Sequence, residues 1–453
     1  MRARGLLALS MILASGCEQA GVARVAPAGV PIAPASRFLK FTSSSKISHV
    51  VIVYQENRTP DDLFQGLPHA DTQPYGLNSE GKQVNLRPAS LTAPYDLDHE
   101  HRGFVIEYDN GAMNGFNIEK SSKCTGKSGC PKPYLAAYGY VPHSEVKPYF
   151  DMAEQYVFGD RMFQTNQGPS FPAHQYILSG TSSISQGSTT LASENPFTAQ
   201  QKFTGGCDSP KGSLVVLIDG NGQESQEAYP CFDRPSLTDL VDAKGLTWHY
   251  YQSHLGPGLW NGPDAIAHVR SSSEYATDVV APPSQVLKDV AAGTLANVVW
   301  VTPTAKASDH ANITDGSGPS WVASVVNAIG ESQYWQNTAI IVTWDDWGGW
   351  ADHVPPQIYN PYELGFRVPL IVISPYAKRA YISHVPHEFG SILKFTEETF
   401  GLGSLGTTDV RADDLSDCFD FSQKPRKFRK IPAPLGPAYF LRQPISMESP
   451  DDE

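Results

Sequence analysis

The chain has few cysteines, no long apolar run and no excess of basic side chains, and each shortage removes a class of protein. Six cysteines in 453 residues are too few for a scaffold held together by disulfides. No uninterrupted apolar run reaches the roughly 20 residues that a membrane-spanning helix needs. Lys and Arg total 34 against 47 Asp and Glu, a formal charge of −13, so a broad nucleic-acid-binding surface is not expected.

What is present is the composition of a folded protein with many loops. Hydrophobic residues make up 40% of the chain and charged residues 18%, which argues against wholesale disorder. The 38 glycines and 36 prolines predict that a large share of the chain is loop. The length suggests two or three ordinary domains, or one α/β enzyme with insertions.

The N-terminus has the pattern of an export signal. Arg2 and Arg4 precede a short apolar run, and small residues then lead to Cys17. Residues 1–17 are therefore predicted to be a signal peptide, and residues 18–45 a linker rich in Ala, Pro and Ser. The segment before Cys17 resembles the lipoprotein box of bacteria, so the alternatives are a lipid anchor at Cys17 or later cleavage that releases a soluble protein. We expect an exported bacterial protein that is periplasmic, secreted or anchored to the outer membrane.

Export permits disulfides, and the spacing of the cysteines predicts two. Cys124 and Cys130 enclose a short Thr-Gly-Lys-Ser-Gly loop, and Cys207 and Cys231 flank a polar excursion. Cys418 is then left without a partner if Cys17 is lipidated or cleaved away. A metal site built on cysteines is disfavoured, because no Cys-x-x-Cys or histidine spacing supports it.

Short apolar runs that alternate with helical stretches predict a layered α/β sheet. The runs interpreted as buried parallel strands cover residues 50–54, 298–301, 339–344 and 368–373. Apolar residues recur at helical spacing in residues 320–329 and 390–400. This alternation implies crossover connections between strands of one sheet.

Acidic, amide and histidine side chains follow three of the predicted strands. In such sheets, ligands bind beyond the carboxyl ends of the strands. The side chains found there are Glu56, Asn57, Asp309, His310, Asp345 and Asp346. Each pair alone fits an ordinary polar turn, but the three together favour oxygen ligands for a divalent cation that also accepts phosphate oxygens.

A turn rich in Gly and Pro precedes a predicted helix that has Pro172 in its first turn. Ser170 is predicted to lie at the N-cap of this helix, where backbone N–H groups and the helix dipole favour an anion. The pattern fits a simple capping serine as well as a nucleophile that accepts a phosphoryl group beside a metal. Spacing alone does not separate the two interpretations.

Three histidines fall in predicted loops beside glycines or acidic side chains, namely His99, His310 and His353. A lone histidine is more often structural than catalytic. Here the neighbours fit either the surroundings of a metal or a role in proton transfer.

In their order along the chain, these motifs resemble the bacterial phosphoesterase family, which includes acid phosphatases and non-specific phospholipases C. The similar segments are residues 55–59, the Asp-x-x-His that ends at His99, and residues 110–116, 168–172, 308–310 and 343–355. The resemblance extends from about residue 46 to residue 423, which predicts a catalytic domain over 46–423 and a C-terminal extension over 424–453.

The resemblance implies an alkaline-phosphatase-like α/β fold, with a central mostly parallel sheet flanked by helices and with loop-rich insertions. It implies a divalent metal ion, of unspecified identity, held by Glu56, Asn57, Asp345 and Asp346. Ser170 matches the nucleophile of the family. The active-site histidines are matched by His99, His310 and His353, and Asp309 and Asp352 adjoin the last two.

The implied activity is metal-dependent hydrolysis of phosphoric esters through a phosphoserine. Ser170 and the Asp345–Asp346 pair are typical of the acid phosphatase branch, because phospholipase C members tend to have Thr and Asp-Glu at these positions. Ala173 and His174 replace their Asn-Arg, which leaves the substrate preference open. The alternatives are a phospholipase C or other phosphodiesterase, and an exported lipoprotein that binds phosphate esters without cleaving them.

Residues 180–235 are rich in Ser, Thr, Gln and Gly and are predicted to be an insertion over the site, with a plain surface loop as the alternative. The expected partner is a phosphate-ester substrate, either a small molecule or a phospholipid headgroup. A phospholipid would need an apolar approach surface, for which Phe197, Phe203, Leu259 and Trp260 are candidates.

Overall fold

The computed structural model of the protein describes residues 46–118, 121–122 and 130–448. The predicted signal peptide, the linker and the possible lipid anchor at Cys17 lie outside the described residues. So does Cys124, and with it the predicted Cys124–Cys130 pair. The described residues belong to one unit of the chain.

The strands, numbered along the chain, are β1 His49–Gln55, β2 Tyr75–Leu77, β3 Gln83–Asn85, β4 Arg87–Pro88, β5 Asp96–Leu97, β6 Ser121–Ser122, β7 Gly139–Tyr140, β8 Val157–Gly159, β9 Met162–Phe163, β10 Leu191–Ala192, β11 Val215–Ile218, β12 Gln226–Ala228, β13 Trp248–Tyr251, β14 Val279–Val280, β15 Val298–Val301, β16 Thr338–Trp344, β17 Leu370–Ile373, β18 Tyr381–Ser383 and β19 His387–Glu388.

The α-helices are α1 Pro60–Leu63, α2 His101–Tyr108, α3 His143–Ala153, α4 Ser170–Ser179, α5 Leu237–Ala243, α6 Ala267–Ser271, α7 Tyr275–Asp278, α8 Gln285–Ala292, α9 Gly318–Gly330, α10 Phe389–Phe400 and α11 Pro437–Phe440.

The central sheet of the described chain has eight strands in the order β14-β13-β15-β1-β16-β17-β8-β18. All neighbours pair in parallel except β17, which is antiparallel to both β16 and β8. Strands β15 and β16 are buried along their whole length, because both faces of the sheet are covered. The predicted α/β class, with a mostly parallel central sheet flanked by helices, is confirmed.

The prediction of a parallel strand over residues 368–373 was wrong in direction. The strand forms as β17, but it runs antiparallel to β16. A parallel neighbour needs a crossover connection, usually a helix, that carries the chain back to the starting edge. The connection over residues 345–369 contains no helix, so β17 begins near the carboxyl end of β16 and runs in the opposite direction.

Both helices predicted from apolar spacing are present, as α9 and α10. Helix α9 has a proline in its first turn, and α10 is capped at its C-terminus by Gly401, which has a left-handed backbone at φ 62°. Helix α9 contacts β16 and α3, and α10 contacts α4. Helix α4, which carries Ser170, is thus supported from behind by a second buried helix.

The segment over residues 180–235 is a small sheet with its own core rather than a structureless loop. Strands β10, β11 and β12 pair antiparallel, and the predicted Cys207–Cys231 disulfide is present. Leu259 and Trp260 pack into this core with Phe171 of α4 and are buried, so they do not form the predicted lipid-facing surface. Burial follows from their neighbours, which the sequence pattern does not reveal.

The C-terminal extension packs against the main body of the protein. The side chain of Asn327 in α9 exchanges two hydrogen bonds with the backbone of Ile431. Phe440 of α11 packs edge-on against Trp321 of α9, with ring centroids 5.2 Å apart. Cys418 is buried with a free thiol, as predicted.

Candidate active site

Two neighbouring strands bring the first two acidic side chains together. Strands β1 and β16 are parallel, and Gln55 pairs with Trp344 at their carboxyl ends. Glu56 and Asp345 are the next residues of the two strands, so they leave the sheet side by side. Asn57 then turns the chain with a left-handed backbone at φ 59°, which Asn tolerates better than most residues. Its backbone N–H donates to Asp345 Oδ1 at 3.4 Å.

Ser170 is the first residue of α4, and not its N-cap as predicted. Pro169 occupies the cap position and offers no side-chain hydrogen bond. The N–H of Phe171 instead donates to the side chain of Asn195 at 2.9 Å, so Asn195 satisfies an N-terminal group of the helix. Ser170 Oγ is therefore available for a different contact and donates to Glu56 Oε2 at 3.1 Å. Both side chains are fully buried.

His174 joins this pair from the next turn of α4. Residues four apart lie on the same face of a helix, so His174 follows Ser170 towards the carboxylates. Its Nε2 atom lies 3.6 Å from Glu56 Oε1 and 3.7 Å from Asp345 Oδ2. Ligand atoms of these three residues all lie within 4.8 Å of one another. His174 was not predicted to belong to the site, although its position four residues after Ser170 was a visible signal.

The three side chains fit a divalent cation. All three are buried, and His174 Nε2 and Asp345 Oδ2 have no hydrogen-bond partner. Burial lowers the pKa of His174 to about 3, so the imidazole is neutral and has a lone pair to offer. Burial also raises the pKa of Asp345, and the hydrogen bond from the backbone N–H of Asp346 opposes that rise. Carboxylate oxygens and a neutral imidazole nitrogen are a common donor set for a divalent metal.

Asn57 and Asp346, the other two predicted ligands, lie around this group. Asn57 Nδ2 is 3.1 Å from His99 Nε2. Asp346 donates its backbone N–H to Asp345 Oδ1 at 2.8 Å, and its own Oδ1 accepts from the N–H of Gly348 at 2.8 Å. Asn57 and Asp346 therefore hold neighbouring residues in place around the predicted site: Asn57 contacts His99, and Asp346 contacts Asp345 and Gly348.

His99 and His310 lie next to each other, with ring centroids 5.8 Å apart. His99 Nδ1 is 2.8 Å from the Leu97 carbonyl, and His310 Nδ1 is 2.7 Å from the Ala311 carbonyl. Since a carbonyl only accepts, each Nδ1 carries a proton and each Nε2 faces inward. His310 Nε2 lies 3.9 Å from Asp96 Oδ2, the first residue of the Asp-x-x-His motif that ends at His99. Asp96 was not predicted to belong to the site.

Asp309 supports the sheet behind this site. Its Oδ2 accepts hydrogen bonds from Tyr149 at 2.8 Å and from Trp344 at 3.0 Å, and its side chain is fully buried. Burial raises the pKa of Asp309 to about 7. The residue thus links α3 and the end of β16 to the loop that carries His310.

His353 and Asp352 belong to a second cluster. His353 Nδ1 lies 2.6 Å from Asp61 Oδ2 and its Nε2 lies 3.1 Å from Asp71 Oδ1, while Asp352 is paired with Arg367. Burial lowers the pKa of His353, but the hydrogen bond and charge of Asp61 outweigh it and raise the pKa above its ordinary value. Both ring nitrogens are thus held by carboxylates, and the structure does not place this ring among the contacts of Ser170.

A profile of the phosphoesterase family matches residues 47–403 of the chain, which includes every side chain of both clusters. The chain belongs to the phosphoesterase family. Membership confirms the class of enzyme that the sequence predicted, a hydrolase of phosphoric esters. The order of motifs along the chain, rather than any one of them, carried that prediction.

Relatives of this phosphoesterase include enzymes named phospholipase C. The non-hemolytic phospholipase C of Burkholderia pseudomallei is 22% identical over 467 residues, which cover 90% of this chain and 65% of that protein. Phospholipase C A of Mycobacterium tuberculosis is 24% identical over 449 residues, which cover 84% of this chain and 79% of that protein. The chain thus spans just under two thirds of the first relative's length.

A solved structure of a protein in the alkaline phosphatase superfamily, from Vibrio parahaemolyticus, is also similar to this phosphoesterase. The TM-score is 0.38 and the identity 10%, over 82% of this chain and 70% of that one.

No helix in the described part of the chain is long and apolar enough to cross a membrane.

Proposed function

We propose that this phosphoesterase cleaves its substrate by nucleophilic attack of Ser170 and forms a phosphoserine. The observation that carries the proposal is the contact between Ser170 Oγ and Glu56 Oε2, at 3.1 Å, beside His174 and Asp345. A serine that only capped its helix would bond to the backbone of α4, and that role falls to Asn195 instead. The hydroxyl is left to face the acidic group.

In the first step, Ser170 Oγ forms a bond to phosphorus as the bond from phosphorus to the leaving oxygen breaks. The hydroxyl proton passes to Glu56 Oε2, the atom that already accepts it in the resting hydrogen bond. Glu56, Asp345 and His174, with Asn57 and Asp346 adjoining, would hold a divalent cation, whose positive charge would stabilise the developing alkoxide and the phosphoryl oxygens. Positioning and charge stabilisation are the main contributions to phosphoryl transfer.

The leaving oxygen takes a proton from the pair formed by His99 and His310. His99 Nε2 already faces the amide of Asn57, at 3.1 Å. His310 Nε2 lies 3.9 Å from Asp96 Oδ2, and a carboxylate beside a ring nitrogen can orient the ring for proton transfer. We therefore propose that His310 protonates the leaving oxygen and that His99 orients the side chain of Asn57. His353, the third predicted histidine, is held by two carboxylates and is assigned a structural role.

In the second step, water attacks the phosphoserine, and the bond from phosphorus to Ser170 Oγ breaks with inversion. Glu56 returns the proton to Ser170, and deprotonated His310 takes one from the attacking water. The products are inorganic phosphate from a monoester, or a phosphomonoester from a diester. The catalytic groups are restored.

A phosphomonoester is the substrate we propose, on the basis of Ser170 and the Asp345–Asp346 pair. Cleavage of a phosphodiester in the manner of a phospholipase C is the second candidate, and the names of the relatives favour it. We also propose that the protein is exported, a prediction that rests on residues 1–17 of the sequence.

A paired assay tests the chemistry. The mature protein is incubated with a chromogenic phosphate monoester and with its phosphocholine diester, each with and without chelator, from pH 4 to pH 9. Monoester turnover that is lost on chelation supports the first candidate, and turnover of the diester alone supports the second. Acid quenching during turnover, followed by peptide mass analysis, should find a phosphoryl group on Ser170. If both esters remain intact while metal is bound, the hydrolase mechanism is refuted and the alternative of a non-catalytic phosphate-ester-binding protein is favoured.

A further inference from the structure

We infer that His174 is a nitrogen ligand of the metal, and that it directs this site towards a transition-metal ion such as Zn²⁺, Mn²⁺ or Co²⁺ in preference to Mg²⁺ or Ca²⁺. The inference deepens the proposed function, since it concerns the same site and presumes that a cation binds there. It adds a ligand to the four predicted from the family resemblance. It also replaces an undefined divalent cation with a chemical class.

The hydrogen bonds around His174 fix which of its nitrogens faces the carboxylates with a lone pair. The Tyr250 hydroxyl donates its one proton to the Trp260 carbonyl at 2.6 Å. The hydroxyl oxygen can then only accept, so His174 Nδ1, 3.1 Å away, must be the donor. Neutral imidazole carries one proton, so Nε2 carries a lone pair. An outer partner that sets the tautomer in this way is the usual arrangement around a metal-binding histidine.

Nε2 is aimed at two carboxylates but makes no hydrogen bond to either. The distances to Glu56 Oε1 and Asp345 Oδ2 are 3.6 and 3.7 Å, which are too long for hydrogen bonds. Neither His174 Nε2 nor Asp345 Oδ2 has another partner, and both residues are 0% exposed. Buried polar atoms left in this state are costly, and a lone pair that faces carboxylate oxygens is repelled. A cation between the three atoms removes both penalties.

The donor set predicts the class of metal. Mg²⁺ and Ca²⁺ take oxygen ligands almost exclusively, whereas imidazole suits Zn²⁺ and other transition metals. Without His174 the site is composed of carboxylate and amide oxygens. With it, one fixed nitrogen is added by a rigid helix that also positions the nucleophile.

Pulsed EPR on the full-length mature protein tests the assignment directly. Chelator-stripped protein is loaded with one equivalent of Mn²⁺, and the spectrum is examined for the coupling of a directly coordinated imidazole ¹⁴N. We expect the coupling in the wild type and its loss in His174→Asn. Two control variants should retain it: His353→Asn, which alters the second cluster, and His268→Asn, which alters an exposed histidine bound to Asp233 and Asp239.

Calorimetric titration supplies the selectivity. The wild type should bind Zn²⁺ more tightly than Mg²⁺, and His174→Asn should reduce that ratio. Tyr250→Phe keeps the aromatic ring but removes the oxygen that orients His174, and its Zn²⁺ affinity should fall by roughly 10–100-fold. The stripped variants are compared by thermal unfolding, so that a folding defect is recognised as such.

The outcomes separate this inference from the proposed function. Hydrolysis without a ¹⁴N coupling, or with a coupling that survives in His174→Asn, overturns the role of His174 and leaves the Ser170 mechanism intact. A coupling that depends on His174 in a protein that cleaves neither ester upholds the ligand and overturns the mechanism. A coupling that disappears in His353→Asn moves the metal to the second cluster and refutes the inference.

Discussion

Ser170 and His174 lie one turn apart on the same face of α4, and both face the carboxylate of Glu56. Ser170 Oγ donates to Glu56 Oε2 at 3.1 Å, and His174 Nε2 lies 3.6 Å from Glu56 Oε1. The helix is buried along its whole length and packs against α10. One rigid element therefore sets both the nucleophile and a nitrogen donor, and a shift of α4 would displace the two together.

The first prediction concerns the nucleophile. Ser170→Ala removes the attacking oxygen and leaves the helix in place, so kcat should fall by roughly 10⁴-fold at an unchanged melting temperature. Steady-state kinetics and thermal unfolding measure the two quantities. Ser179→Ala, at the other end of the same helix, is the matched control, because Ser179 is also buried and its Oγ has no partner. Wild-type turnover in Ser170→Ala would refute the nucleophile.

A second prediction concerns the turn that holds Asn57. Gly348 has φ +61°, and a Cβ atom there would lie 2.5 Å from the Asn57 carbonyl oxygen and 2.6 Å from its Cβ. Gly348→Ala should therefore displace Asn57, and a displacement on the order of 1 Å costs about 10²-fold in rate. The measurement is kcat/KM on the better of the two esters.

Gly66→Ala is the control for backbone strain in that comparison. Gly66 has φ +84°, but nothing lies within 4 Å of its added Cβ. Both variants should lose about 1–2 kcal/mol of stability from the left-handed backbone, and only Gly348→Ala should lose activity. Equal activity in the two variants would show that the position of Asn57 does not limit the reaction.

The sequence predicted most of the sheet and the meeting of Glu56 with Asp345, because both depend on local pattern. Glu56 and Asp345 directly follow long apolar strands, and residues at the ends of parallel neighbours must meet. His174 was missed, although its position four residues after Ser170 was visible. The sequence does not reveal that α4 is fully buried, and it therefore does not reveal which face of this helix meets the carboxylates.

Long-range contacts account for the remaining differences. Ser170 begins α4 instead of capping it, because Asn195, from a segment predicted only as an insertion, takes over the N-terminal hydrogen bond. Strand β17 is antiparallel because the 345–369 connection lacks a helix, which apolar runs alone do not reveal. His353 is held by Asp61 and Asp71, which lie far from it in sequence.

A third prediction concerns the Cys207–Cys231 disulfide, which closes a loop with a sequence separation of 24 residues. Closing a loop of this size reduces the conformational entropy of the unfolded chain, which stabilises the folded state by about 3–4 kcal/mol. The double variant Cys207→Ala, Cys231→Ala should lose about that much in denaturant unfolding. Reducing agent should destabilise the wild type by a similar amount and leave the double variant unchanged. A wild type that does not respond to reductant would show that the bridge contributes nothing.

The last prediction is a pH dependence that originates at Asp309. Burial raises the pKa of its carboxyl to about 7, above the ordinary value of 3.8. Between those two values the folded protein keeps a proton that the unfolded chain has lost. The contribution of Asp309 to stability is therefore complete below about pH 4 and falls by about 1.4 kcal/mol for each pH unit up to about 7.

Asp309→Asn should abolish this slope, since the amide is neutral at every pH and its oxygen can still accept from Tyr149 and Trp344. Unfolding by urea from pH 4 to pH 8, in chelator so that metal binding does not interfere, gives the free energy of both proteins. The stability of the variant relative to the wild type should rise with pH and level off near pH 7. Asp219→Asn is the control, because Asp219 is exposed and hydrogen bonds from the Gln223 and Asn221 backbone lower its pKa. Its relative stability should not rise with pH, and a flat difference for Asp309→Asn as well would mean that Asp309 is ionised in the folded protein at neutral pH.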